Sequence, residues 1–375
     1  MRRTWIYQGL LVAAIVAVLA LIVSATNANL ARLGVETSMD FLWRRAGFTI
    51  SQSLIPFDAN STIARAFVVA LLNTLVLAAA SIVGASLLGL VVGTARLSRN
   101  WLVSRLATAY VELFRNIPSL LQIFFWYLVV LRSLPGFRDS LSLGEAVRLN
   151  NRGLFLAAPD VVGGSGWIAG GLLLAIAAII GLSRWARQRR LASGRGFPLT
   201  LTAVGLLIVV PWLAALIGGA QLGWDIPQAG RFGFEGGLVI MPEFMALVAG
   251  LSVYNATYIG EIVRSGFAAI PRGQIEAADA LGLSRWLSFR LVLFQALRVI
   301  IPPLTTVYLN LFKATSLAAA IAYPEIVSVF VGTVNNLVGQ PVIIMGITLI
   351  IYVLVSLAIA LFMNWYDRRI ALSRA

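Results

Sequence analysis

The residues that could do chemistry in this chain are few, and they are set among long apolar stretches. Lys313 is the only lysine among 29 basic residues, and its neighbours are Phe312 and Ala314. Thr306, Asn310 and Lys313 recur at helical spacing with Ser316 close to the same side, so one helix face carries hydroxyl, amide and ammonium groups. An ammonium near the middle of a membrane costs about 2.5–3.5 kcal/mol on insertion scales and therefore meets a cavity or a partner. Such a face could receive the carboxylate of a zwitterionic or anionic solute. The alternatives are a salt bridge inside a helix bundle or a stem that snorkels to the surface. Glu112 and Arg115, like Glu261 and Arg264, stand three residues apart and are expected to pair locally near the inner membrane face, or to serve as gate or interface contacts. Glu276 and Asp279 lie one turn apart, with Ala277 and Ala278 leaving a shallow face and Gly282 permitting a bend or a close approach. Tyr254, Tyr258, Trp126 and Tyr127 read equally well as aromatic anchors at the membrane interface.

The absences are as informative. With no cysteine and no histidine, disulfides, thiolate metal sites and a Ser-His-Asp arrangement are excluded, and no metal or cofactor is expected. Lys313 does not follow a glycine, so the chain carries no P-loop and does not hydrolyse ATP by that route. Gly163-Gly164-Ser165-Gly166 lacks a strand-and-helix frame and reads as a loop. A net charge of +14 could suggest nucleic acid. The arginines, however, sit in short runs beside apolar segments, which is a topology pattern, and no nucleic-acid partner is expected.

The elements that must position these groups are membrane helices. Hydrophobic residues make up 59% of the chain and charged residues 12%, with a mean hydropathy of +0.89, far from the balance of a soluble domain. The reading is an all-α polytopic membrane protein with about eight spans and both ends inside. Met1-Arg2-Arg3 and the apolar run 6–23 resemble a signal peptide, but the run is long and reads better as an uncleaved first helix. A polar outer loop (24–63) precedes a span at 65–93, and an inner loop follows at 95–105. The third span, 106–131, must break or kink at Pro118, which lacks a backbone donor. An outer polar segment (132–166) leads to spans at 167–182 and 199–217, separated by Arg184, Arg187, Arg189, Arg190 and Arg195. After a second outer segment (220–240) come a span at 242–263, an inner polar region at 264–297, and spans at 298–322 and 342–366. Nineteen of the basic residues then lie inside and nine outside, as the positive-inside rule requires.

The run Glu276-Ala277-Ala278-Asp279-Ala280-Leu281-Gly282, between two apolar segments, resembles the EAA signature of membrane subunits of binding-protein-dependent ABC importers. The likeness is to the polar-amino-acid uptake group, and within it to permeases of the general L-amino-acid type. It extends to Tyr258-Ile259-Gly260-Glu261-Ile262-Val263-Arg264-Ser265-Gly266 and Pro271-Arg272-Gly273-Gln274 before the signature. After it come Gln295-Ala296-Leu297-Arg298, Pro302-Pro303-Leu304 and Asn310-Leu311-Phe312-Lys313-Ala314-Thr315-Ser316-Leu317. Upstream, Arg115-Asn116-Ile117-Pro118-Ser119-Leu120-Leu121-Gln122 resembles the family's early loop-and-helix signature. Phe294 stands where the family usually has proline, and the spacer after Gly282 is one residue short.

The resemblance implies a type I importer permease core with an extra N-terminal helix and an inserted helix pair. Residues 1–64 would form the N-terminal helix and outer loop. Residues 65–367 would be the permease domain, with an insertion at about 132–241 and a coupling region at 264–297, and 368–375 a cytoplasmic tail. It implies that Glu276, Ala277, Ala278 and Gly282 couple to a separate ATPase subunit, so the chain is not itself an enzyme. Thr306, Asn310, Lys313 and Ser316 would then line a substrate path, with Arg115, Gln122, Glu261 and Arg264 as gate or interface candidates. The implied partners are the ATPase, a second permease subunit (related or identical), an extracytoplasmic amino-acid-binding protein, the amino acid and membrane lipid, in a bacterial inner membrane. A self-sufficient secondary transporter would need two similar halves and several intramembrane acids, and neither is visible. A non-transporting scaffold would have no use for the Thr306-Asn310-Lys313 face.

Overall fold

The computed structural model describes residues 2–32, 38–162, 165–193, 197–219, 221–231 and 233–372. Gly163, Gly164, Arg195 and residues 373–375 of the tail lie outside them. The chain forms two compact units, Met1–Ser133 with Met241–Ala375, and Leu134–Ile240.

The first unit is helical. Its long helices are α1 (Arg2–Arg32), α2 (Ile63–Arg96), α3 (Trp101–Asn116) and α4 (Ser119–Phe124), the last continuing as a wider π-type turn to Leu131. Counting the second unit's α5 (Ser165–Ser193) and α6 (Leu199–Ile217), the first unit resumes with α7 (Pro242–Ala268), α8 (Arg272–Ala280) and α9 (Arg285–Ala314). It closes with a short apolar helix, Val327–Val338, whose last turn is α10 (Asn335–Val338), and with α11 (Pro341–Leu372). Among the described residues, five helices are long and apolar enough to cross a membrane, six when the bent α3–α4 pair is taken as one span. The other two helices of the expected eight, in α1 and α6, are shorter apolar stretches.

Helix α7 is the hub. It packs on α2, α9, α3 and α4, and 61% of its apolar window is buried inside the chain, against 28% for α2 and 11% for α11. Lipid supplies no hydrophobic drive between helices, so close packing must come from small residues that let backbones approach. The α2 sequence Gly89-Leu90-Val91-Val92-Gly93 does this. A Cβ on Gly89 would lie 2.6 Å from Ile259, and one on Gly93 would lie 2.7 Å from the Gly260 carbonyl oxygen.

Three boundaries differ from the sequence reading, and one expected break is present. The inner loop after α2 is short, because Asn100 caps α3 by accepting from the Leu102 and Val103 amides at 3.0 and 3.3 Å. The two limbs around Pro118 bend by 104°, which is the break that its missing backbone donor leads one to expect. Helix α9 begins at Arg285, not near residue 298, and runs unbroken past Phe294. A helix held by its own backbone bonds need not stop where its apolar face does. The outer stretch before α2 is not simply solvated. Phe41 and Ala46 join Ala66, Ala70, Phe330 and Val334 in a buried cluster, and Phe67 meets Phe330 edge to face at 5.0 Å.

The second unit holds a surprise for an all-α reading. The expected polar segment 132–166 folds into strands β1 (Leu141–Leu143), β2 (Val147–Asn150), β3 (Gly153–Leu156) and β4 (Ala158–Val162). The later outer segment supplies β5 (Gln221–Asp225), β6 (Gln228–Ala229), β7 (Phe234–Glu235) and β8 (Leu238–Ile240). An antiparallel sheet runs in the order β1-β2-β3-β8, with β4-β5 and β6-β7 as separate pairs. The β4-β5 ladder, from Ala158 opposite Asp225 to Val162 opposite Gln221, leads directly into the α5–α6 hairpin.

Candidate functional site

The polar turn between α7 and α9 is built to present a surface. Helix α8 ends in a left-handed closure at Gly282, where φ is +66°. The Leu281 amide donates to Ala277 O at 3.0 Å and the Leu283 amide to Ala278 O at 3.1 Å, the latter the six-to-one bond of a glycine C-cap. A Cβ on Gly282 would meet nothing within 4 Å. Its contribution inside this chain is therefore the bend, not the close approach. Ser284 then opens α9 by accepting from the Leu287 amide at 3.4 Å. The Gln295 side chain donates to Gln274 and pins α8 to α9. Glu276 and Ala277 are exposed, Ala278 is buried, and Leu281 beside them is 77% exposed. The side chain of Asp279 lies outside the described part of the structure. Thus three of the four expected coupling residues face outward, and Ala278 faces in.

Just before α8, Glu261 receives two arginines. Arg264, three residues on, reaches Oε1 at 2.6 Å, as its spacing predicts. Arg96 at the end of α2 also binds the carboxylate. The site so formed ties the α2 and α7 ends together across 165 residues of sequence, which spacing within α7 cannot reveal. The second expected pair is not made. Arg115 lies over the Tyr258 ring at 5.1 Å, and no Glu112–Arg115 ion pair forms among the described residues. Tyr258 is in turn hydrogen-bonded to Tyr254, oxygen to oxygen at 3.0 Å.

Gln122 has a clear local task. Pro118 has no N–H to give the Phe114 carbonyl. The buried Gln122 Nε2 donates to Phe114 O at 2.8 Å and to Ile117 O at 3.0 Å. It thus satisfies the carbonyls that the bend exposes, which a broken helix inside a membrane requires.

The Lys313 face is open. Thr306, Asn310 and Lys313 are all exposed along α9, spanning about 10 Å at 1.5 Å per residue. Lys313 and Ser316 line a groove of about 800 Å³ with Thr348, Tyr352 and Ser356 of α11. Thr306 and Asn310 lie on the same helix outside its wall. Among the described residues Lys313 forms no salt bridge, so a structural ion pair within this chain is not what holds it.

Beyond the groove, the chain turns at Ala322, the only described non-glycine residue with positive φ, at 57°. Asn73 and Thr74 of α2 hold this turn. Asn73 Nδ2 donates to Pro324 O at 2.9 Å and to Gln52 O at 2.8 Å, and Thr74 Oγ1 accepts from the Ile326 amide at 3.1 Å. The buried Glu325 caps the next helix by accepting from the Val327 and Ser328 amides at 2.8 and 2.7 Å, and the Tyr352 hydroxyl approaches it at 3.4 Å. Sequence reasoning missed Glu325. The available signal was its isolation, since no other acid occurs between Asp279 and Asp367.

The first unit is thus a helical bundle in which the short polar helix α8 lies between two apolar helices long enough to cross a membrane. Residues 194–372 match the family described as binding-protein-dependent transport system inner membrane component. The putative amino-acid ABC transporter permease YhdX of Escherichia coli K12 is 46% identical over 99% of this chain and 94% of the relative. The general L-amino acid transport system permease AapQ of Rhizobium johnstonii is 47% identical over 99% and 92%. The glutamate/glutamine/aspartate/asparagine permease BztB of Rhodobacter capsulatus is 36% identical over 92% and 88%. The chain belongs to this family of ABC-transporter permeases and is a multi-pass protein of the bacterial inner membrane.

Proposed function

We propose that this chain forms the membrane path through which an ABC importer carries polar L-amino acids, with ATP hydrolysed by a separate subunit that docks on α8. The observation that carries the reading is likeness along nearly the whole chain to permeases named for amino-acid transport. The exposed Glu276–Ala277 face and the neighbouring Leu281 support docking. A small charged helix with an apolar tip suits a groove on a soluble partner. Movement of that partner would pass through α8 to α7 and α9, turning the path from outer to inner side. The Arg96–Glu261–Arg264 cluster would hold the inner end during that motion. The exposed Thr306-Asn310-Lys313 face would meet the amino acid's polar groups, completed by a second permease subunit, related or identical. An extracytoplasmic binding protein would deliver the substrate. Residues 65–367 would be the permease domain, interrupted at about 132–241 by an added element, with 264–297 as its coupling region.

The test is co-purification of the tagged chain, identification of the bound subunits, and a screen for the amino acid that stimulates ATP hydrolysis by the complex. Recovery of an ATPase and stimulation by polar amino acids are expected. A complex without an ATPase, or one indifferent to every amino acid, would refute the reading.

A further inference from the structure

The α5–α6 hairpin has no part in the reading above, yet its charge is sharply organised. No acidic residue occurs between Asp160 and Asp225, which lie on the paired strands at the hairpin's base. Residues 166–182 are uncharged, a length of about 26 Å along a helix axis and close to the thickness of a bilayer's hydrocarbon core. Arg184, Arg187, Arg189 and Arg190 follow at once, all exposed. We propose that this basic end binds the phosphate headgroups of anionic phospholipids.

The geometry suits that ligand. At 100° per residue, Arg184, Arg187 and Arg190 fall within about 120° of one another around the helix, over about 9 Å of its length. Among the described residues none of the three makes an ion pair, and the hairpin contains no carboxylate to offer one. Arg189 turns to the other side, its guanidinium 5.1 Å from the Trp185 ring centre. Trp185 in turn meets Phe197 edge to face at 5.5 Å. The aromatic pair sits at the depth where such rings settle in the headgroup region. Three guanidinium forks therefore stand at headgroup level with their donors free, and phosphate is the anion whose oxygens they match in pairs. The positive-inside rule puts them against the leaflet whose acidic lipids attract arginine. The inserted hairpin then acts as a lipid-anchored element.

The full chain, purified in a neutral detergent, is titrated with short-chain phosphatidylglycerol or phosphatidylcholine, and bound lipid is counted by native mass spectrometry. Wild type should prefer phosphatidylglycerol, and the preference should fall as salt rises. Each arginine near an anionic surface contributes about fivefold, so R184Q/R187Q/R190Q should bind phosphatidylglycerol roughly a hundredfold more weakly. R184K/R187K/R190K should keep most of the binding, and the charge-matched R99Q/R290Q/R368Q should lose markedly less than the glutamine variant of the hairpin. Equal binding of both lipids by wild type, an unaffected glutamine variant, or an equal loss in the control would overturn the proposal. Displacement of the lipid by equimolar inorganic phosphate or an oligonucleotide would overturn it too, since the site would then serve a soluble anion. If the glutamine variant cannot be purified, the lipid preference of wild type and its salt dependence decide the matter alone.

Discussion

Adding one methyl group at Gly93 should loosen the α2–α7 seam on which the first unit is built. A Cβ there would lie 2.7 Å from the Gly260 carbonyl oxygen and from Val263 Cβ, and 2.8 Å from Val263 Cγ1. Relaxed carbon contacts fall at about 3.5–4.0 Å, so α7 must retreat by roughly 0.5–1 Å. One wall is backbone, which cannot swing aside as a flexible side-chain tip can. Overpacking of this kind costs about 1–3 kcal/mol, partly offset by alanine's better helix propensity, worth about 0.5–1 kcal/mol. The net expectation is a loss of about 0.5–2 kcal/mol. Gly346 on α11 provides the internal control, because a Cβ there meets nothing within 4 Å, and Gly346→Ala should be neutral or stabilising. Both variants can be followed by thermal unfolding of the purified chain in one detergent. Equal stability of Gly93→Ala and wild type, or equal losses at both sites, would refute the close-approach argument.

Asn73→Ala should destabilise by about 2–4 kcal/mol, since it removes two hydrogen bonds and strands the buried Pro324 carbonyl and the part-buried Gln52 carbonyl; denaturant unfolding measures it. Gly282→Val should unwind the end of α8, because a β-branched residue resists a φ of +66°. Hydrogen exchange on residues 276–283 should accelerate while α7 stays protected. Glu276→Lys should leave membrane insertion and fold intact, because Glu276 is exposed, but abolish substrate-stimulated hydrolysis in the assembled complex. Lys313→Met should leave stability unchanged, as no partner carboxylate is stranded among the described residues, while uptake falls or shifts preference among acidic, neutral and basic amino acids.

What could be read from the chain was whatever depended on local covalent facts. Pro118 announces its break because a missing donor is visible in one residue, and Gln122, four residues on, is near enough to repair it. The Glu261–Arg264 pair follows from helical spacing for the same reason. Arg96 was invisible because its partner is brought to it only by the α2–α7 packing. The packing of α3 on α7 likewise explains why Arg115 chooses the Tyr258 ring over nearby Glu112. The strands of the second unit were legible in part. Leu141-Ser142-Leu143 and Val147-Arg148-Leu149 alternate, and Asn150-Asn151-Arg152-Gly153 is a turn sequence in which Asn150 Oδ1 accepts from the Arg152 amide at 2.8 Å. Strands this short rely on partners such as β8, which pairs with β3 from 84 residues away, so composition alone suggested a loop. Gly282 was read as a bend or a close approach, and only its backbone angle decides for the bend.

The most direct measurement is uptake of labelled L-amino acids by proteoliposomes holding this chain with its co-purified subunits and binding protein, with ATP inside or outside the vesicles or omitted. ATP on the side that α8 faces should drive accumulation of polar amino acids, and Glu276→Lys should abolish it without loss of assembly. Accumulation driven by an ion gradient in the absence of ATP, unchanged by Glu276→Lys, would contradict the account.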